Sequence, residues 1–234
     1  MKNKKHAWIF GYSKQSRSIA ASLLAENFSI TIIENDDKNF QDALSDGYVN
    51  SVLIDITADT ELEKLDIKQS DWILCLMEDE YLNVFLTLSL RASCTCNQII
   101  AISHSIYSTQ KLIMAGANQV IDVYQVSANR IHNIFEKPIT TKLMDNFISP
   151  SHEFSFKEFT IPKNSFLDGA IIDEVDFDKF GIIFTGIVDK ELGDELIFAA
   201  SNINHKIDNG DIIICIGKNE DLVKFGKYLY KDIA

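Results

Sequence analysis

Short apolar runs that alternate with amphipathic helical patterns constrain the first half of this chain more than any other feature. Ala7–Phe10 is such a run, followed by a Gly/Ser turn and then by Ile19, Ala20, Leu23 and Leu24 at helical spacing. Ser29–Glu34 is β-branched and apolar, and Asp37–Asp46 reads as a helix stopped by Gly47. Ser51–Ile54 reads as a third strand, with a short helix around Thr60–Leu65. Asp71–Met77 is the fourth strand and Glu80–Arg91 its helix; Gln98–Ser103 is the fifth, and Ile106–Ala115, closed by Gly116, its helix. Gln119–Val123 is the sixth. Parallel neighbours need a crossover of helix length, and helical segments are what separate these runs. The pattern predicts an α/β unit, a Rossmann-like doubly wound parallel sheet. Its ligand crevice is expected at the carboxyl ends of the first and fourth strands.

The rhythm then changes. Ser127–Phe135 reads as a helix, Pro138 interrupts, and Ile139–Phe147 resumes as a second helix before Ser149-Pro150-Ser151. Beyond that the runs are strand-like: Glu158–Ile161, Gly181–Val188, Glu195–Ala199 and Asp211–Gly217, with Asp221–Tyr230 as a closing helix. The expected organisation is a Rossmann-like lobe over 1–126, a helix–break–helix crossover over 127–150, and a small α+β lobe over 151–234. No internal repeat or low-complexity segment interrupts it.

Charge narrows the function classes. With 22 basic against 34 acidic residues, the net charge of −12 repels phosphate backbones and anionic headgroups. Nucleic-acid partners and direct membrane insertion are therefore not expected, and no apolar stretch approaches the roughly 20 residues of a membrane span. The basic start is not followed by an apolar signal core, so secretion is not expected either. Cys75 and Cys215 sit in apolar runs and read as core thiols, whereas Cys94-Thr-Cys96 reads as two loop thiols. A reducing cytoplasm fits this usage.

The first turn carries the chemistry. Gly11-Tyr12-Ser13-Lys14-Gln15-Ser16 stands where a G-x-G-x-x-G fingerprint would, but serines replace the second and third glycines. A helix N-terminus still offers amide donors to an anion, and Lys14 and Arg17 could add charge. Glu34, at the end of the second strand, stands where an acid accepts bonds from ribose hydroxyls. Two readings stay open. Gly11, Ser13, Lys14, Ser16 and Glu34 hold a nucleotide, or Ser13 or Ser16 simply caps a helix and Glu34 is a solvated strand-end carboxylate.

In order along the chain stand Gly11-x-x-x-x-Ser16, Ile32-Ile33-Glu34, Leu53-Ile54-Asp55-Ile56-Thr57, Glu78-Asp79-Glu80 with Asn83, and Ala115-Gly116-Ala117-Asn118-Gln119-Val120-Ile121. This succession resembles the RCK/KTN (TrkA-N) domain of prokaryotic potassium channels and transporters over residues 6–137. The tail resembles the family's RCK-C (TrkA-C) domain over about residues 155–230. It does so through Ile161-Pro162-Lys163-Asn164-Ser165, Leu167, Gly169, Phe180-Gly181-Ile182-Ile183, Asn209-Gly210-Asp211 and Ile216-Gly217. The nearest likeness is to the calcium-gated channel branch.

The resemblance implies a cytoplasmic gating module, peripheral to the inner membrane through a potassium-conducting pore. It implies homodimers, joined through the crossover helices, that assemble into an octameric ring. A free-standing subunit of Ktr/Trk type is the alternative. It also adds Asp55, Glu78 and Asn83 to the cofactor-binding set, with ATP/ADP, NAD(H) or a cation as candidate ligands, or no ligand in the first lobe. Of the family's calcium site only Asp55 is carried; Ile102 and His104 stand where its glutamates would be, so no metal site is assigned. A tail cluster, Asp168, Asp173, Glu174, Asp176 and Asp178, reads either as solvated acids on a short surface helix or as a site for a divalent or alkali cation.

An oxidoreductase is the rival class. Tyr107-x-x-x-Lys111 has the spacing of a short-chain dehydrogenase pair, but it follows the fifth strand instead of preceding it. No metal-spaced histidines, Gly-x-Ser-x-Gly elbow or P-loop accompany it. The chain is not expected to be an enzyme.

Overall fold

The computed structural model describes residues 5–94, 98–148, 152–193, 195–199 and 205–231. The chain divides into two compact units, Met1–His132 and Asn133–Ala234.

In the first unit, strand and helix alternate through β1 (His6–Phe10), α1 (Lys14–Ala25), β2 (Ser29–Glu34), α2 (Asp37–Ser45), β3 (Val52–Leu53) and α3 (Asp59–Leu62). The series continues with β4 (Trp72–Cys75), α4 (Glu80–Ser93), β5 (Gln98–Ser103), α5 (Ile106–Met114) and β6 (Gln119–Asp122). The six strands lie in the order β3-β2-β1-β4-β5-β6, all parallel. The order reverses between β1 and β4, where Ile9 pairs with Ile32 on one side and Leu74 on the other. Helices cover both faces, so neighbouring residues of one strand bury in opposite directions. Ile33 joins Phe10, Ile73, Leu86 and Ile99 on one side, and Ile32 joins Ile9, Ala20, Leu76 and Ile102 on the other. The strand expected over Ser51–Ile54 pairs only through Val52 and Leu53, both exposed at the sheet edge.

The sixth strand has no linker after it. Helix α6 (Val123–Glu136) starts directly behind Asp122, whose carboxylate accepts the Gln125 N–H at 2.9 Å. Helix α7 (Pro138–Ile148) begins on the proline, where a missing N–H costs nothing.

In the second unit, α7 precedes β7 (Phe154–Thr160), β8 (Ile182–Val188), β9 (Leu196–Phe198), β10 (Ile212–Lys218) and α8 (Asn219–Leu229). The four strands form an antiparallel sheet in the order β7-β10-β8-β9. Alternation is clean in β10, where Ile213 and Cys215 are fully buried and their neighbours are half-exposed. The buried side packs on Leu222 and Phe225 of α8 and on Phe159, Leu167 and Ile187. The acidic tail cluster lies outside regular helix: Asp173 and Glu174 sit in one 3-10 turn and Asp178 in another. Asp168 accepts the Asn164 N–H at 2.7 Å, and Asp176 accepts the Lys179 N–H at 3.2 Å. Those two carboxylates brace turns. Among the described residues, no group of metal-ligating side chains converges.

Candidate functional site: the crevice at the carboxyl ends of β1 and β4

Gly11 directly follows strand β1, and its N–H continues the ladder to the Ile33 carbonyl at 2.9 Å. Its φ of +95° and its closeness to β4 both require glycine, since a Cβ there would stand 2.8 Å from the Leu76 carbonyl oxygen. Two residues later Ser13 caps α1. Its hydroxyl accepts the N–H groups of Gln15 (3.2 Å) and Ser16 (3.4 Å), and the buried Ser16 hydroxyl accepts the Ser13 N–H at 2.5 Å. This is a reciprocal capping box in which serine takes the place of the usual glutamate.

Glu34 ends β2 and is 1% exposed. Its carboxylate accepts the Tyr12 N–H in a short bond, the Asn35 N–H at 3.0 Å and the Asp36 N–H at 3.4 Å. Burial pushes its pKa above the usual carboxylate range, and the three amide donors oppose that push. The solvated alternative for Glu34 is therefore ruled out, but its oxygens already hold backbone. Arg17 is also engaged. Its guanidinium meets Asp42 at 2.8 Å and Asp46 at 3.2 Å and stacks 5.0 Å from the Tyr12 ring. The Tyr12 hydroxyl donates to Asp46 at 2.7 Å, and burial with that carboxylate raises the phenol well above its ordinary pKa.

The resulting crevice encloses about 170 Å³, lined by Gly11, Tyr12, Ser13, Glu34, Asn35, Asn39, Leu76, Met77, Glu78, Asp79 and Leu82. Lys14 is exposed and lines a neighbouring depression of about 530 Å³ with Ser13, Glu78 and His104. Four of the sequence-predicted residues thus line the crevice: Gly11, Ser13, Glu34 and Glu78. The others stand elsewhere. Ser16 is sealed beneath the loop, and Asp55 projects from the end of β3, bonded to the hydroxyl and N–H of Thr57 at 2.6 and 2.9 Å. Those bonds lower its pKa, the hydroxyl contributing most. Asn83 is buried in α4, accepting the Met77 N–H at 3.0 Å and donating to the Ile102 carbonyl at 2.9 Å. It ties the ends of β4 and β5 together.

Sequence reasoning missed the use made of Glu80. Its carboxylate accepts the Ser108 hydroxyl at 2.5 Å, the His104 N–H at 2.8 Å and the Ser105 hydroxyl at 3.2 Å. These bonds, the Ser108 hydroxyl first, hold its pKa below the usual carboxylate range. The turn after β5 is thereby fastened to the start of α4. The only signal in the chain was an acid next to a capping Asp79, followed at a distance by the hydroxyls of Ser105 and Ser108.

A family model for the TrkA-N domain matches residues 7–123, half of the chain. The chain belongs to the TrkA-N family. The match ends before the second unit, whose four-stranded sheet is antiparallel. This TrkA-N chain is 26% identical to Potassium channel protein 1 of Methanocaldococcus jannaschii over 97% of its own length and 68% of that protein. It shares its fold with the GsuK channel, at 19% identity and a TM-score of 0.51, covering 98% of this chain and 39% of that one. The TrkA-N domain of the inner membrane protein ybaL from Escherichia coli matches 58% of this chain and all of its own, at 23% identity and a TM-score of 0.51. No described helix of this TrkA-N chain is long and apolar enough to cross a membrane.

Proposed function

We propose that the chain is the cytoplasmic regulatory module of a potassium channel or transporter, coupling the binding of a ligand to the state of a pore. The observation that carries this is the alignment with a potassium channel protein across 97% of the chain, which runs through both lobes. The chain spans 68% of that relative, and the remainder would supply the pore, on this polypeptide or on a separately encoded one. The same alignment favours regulation over hydride transfer.

Assembly is the second part of the reading. Helices α6 and α7 expose Ile131, Ile134, Phe135, Ile139, Leu143 and Met144, from 39% to 84% each, and α6 buries no residue. Such a row is what a second copy of the same helices would cover, giving the homodimer from which an octameric ring is built. The ligand of this reading is a nucleotide, ATP/ADP or NAD(H), seated in the crevice below Glu34 at the topological switch point, or a cation. The module would then sit beside the inner membrane through its pore partner.

Sedimentation velocity tests the assembly. The chain is expected to run as a dimer or larger, and Phe135→Asp with Ile139→Asp to run as a folded monomer. A wild-type monomer at about 100 µM would remove the ring. Grafting the chain in place of the matching part of the M. jannaschii relative and measuring rubidium flux tests the coupling. Flux indifferent to ADP, NADH and divalent cations would remove the regulatory reading.

A further inference from the structure

The crevice already contains its own ligands. From Gly11 to Arg17, the amides that would face a phosphate are taken up within the chain. Gly11 N–H bonds the Ile33 carbonyl, Tyr12 N–H the Glu34 carboxylate, and Ser13 N–H the Ser16 hydroxyl. Gln15 and Ser16 N–H share the Ser13 hydroxyl, and Arg17 N–H bonds the Ser13 carbonyl at 3.0 Å. Among the described residues only the Lys14 N–H has no such partner. Both oxygens of Glu34, which would accept ribose hydroxyls, hold backbone instead.

We propose that Ser13, Ser16 and Glu34 act as an intrachain competitor for the nucleotide, closing the phosphate loop with the chain's own groups. This rests on the nucleotide reading above and deepens it. Each of the three side chains stands where a group of the ligand would stand. The serine hydroxyls occupy amides meant for the phosphates, and the Glu34 carboxylate draws the Tyr12 amide down across the floor. A nucleotide binds by exchange. The loop amides release the serine hydroxyls, and Glu34 trades backbone for ribose. A protein whose open form is a minor population shows an affinity reduced by that fraction, so the serines set the threshold concentration at which the lobe responds.

The replacement of two glycines by serine acquires a function in this view. A glycine loop is open at rest and takes its ligand at low concentration. The serine loop is closed at rest, because each hydroxyl is tethered beside the donor it satisfies.

Titration calorimetry of the full chain with ADP, NAD⁺ and adenosine tests the proposal on wild type, Ser16→Ala and Ser13→Gly. Alanine is at home inside a helix, and glycine serves at an N-cap, so both variants keep α1. Releasing one internal hydrogen bond is expected to tighten ADP and NAD⁺ by roughly tenfold, while adenosine, which has no phosphate, is unchanged. A second readout needs no ligand. The Ser13 amide is expected to exchange slowly with deuterium in the wild type and faster in Ser16→Ala, with the rest of the first unit unaltered. If wild type binds ADP and neither variant binds it more tightly, the proposal is overturned and the nucleotide reading survives. If no form binds ADP or NAD⁺, both are overturned. Rapid exchange at Ser13 in the wild type overturns the proposal alone.

Discussion

The parallel sheet of the first unit and the antiparallel sheet of the second spend their apolar residues differently. The central strands of the parallel sheet are covered on both faces, and β2 has five buried positions out of six. In the antiparallel sheet β10 alternates, and β9 buries none of its residues. Leu196 and Phe198 of β9, with Phe156 of β7, flank a shallow open depression. A sheet with helices on both sides has no face left for another molecule, so its binding chemistry moves to the strand ends. A sheet with one helix layer keeps a face. The first unit therefore presents a crevice and the second a surface.

The largest expected effect separates the two sides of the second sheet. Phe225 is 1% exposed, with the rings of Phe159 and Phe180 at 5.0 and 5.1 Å, so Phe225→Ala should cost about 3–5 kcal/mol in urea unfolding of the second unit. Phe198→Ser, on a side chain 71% exposed, should stay within about 0.5 kcal/mol. Equal losses would mean that the open side is a second core.

A smaller effect concerns the buried carboxylate of the crevice. Burial raises the Glu34 pKa, so the folded unit holds this proton more tightly than the unfolded chain does. The contribution of Glu34 to stability is then fully present below the ordinary glutamate range and is lost as pH rises through the raised value. Urea midpoints of the first unit should carry a component that falls over that window. In Glu34→Gln it should vanish, and an unchanged pH profile would place the carboxylate in water. The smallest effect is one of rate. Burial pushes Cys75 in the first unit and Cys215 in the second up to about 12 each. Both thiols should resist iodoacetamide at neutral pH until their own unit opens. The order of their labelling in rising urea ranks the stabilities of the two units, and immediate labelling of either would contradict the packing around it.

The strands and helices were legible because their periods are local: a buried parallel strand is a short apolar run, and a helix repeats its apolar face. The third strand was over-read by two residues, and the central fourth by three, because its apolar run continues through Leu76 and Met77 beyond the last ladder pair. At the site, Gly11 was legible from its place behind β1, and so was the capping use of Ser13. What Glu34 does was not. A carboxylate at the end of β2 has one sequence signature whether it faces a ribose or the Tyr12 amide, and only the path of the backbone distinguishes the two. Asn83 was read as a member of a family motif, whereas its two bonds join Met77 to Ile102 and hold the floor of the crevice together. Of the Cys94-Thr-Cys96 pair, Cys94 donates its thiol hydrogen to the Leu90 carbonyl at 2.7 Å, and Cys96 lies outside the described residues.

The direct junction of β6 with α6 has a mechanical meaning. A strand followed by loose chain dissipates any tilt of its sheet within a residue or two. Here the strand passes into a helix of 14 residues with no joint, and Asp122 clamps the first turn. At 1.5 Å per residue that helix is a rod of about 21 Å, so a tilt of about 5° at the sheet edge displaces its far end by about 2 Å. The crossover helix is a pointer, and the sheet edge is its bearing.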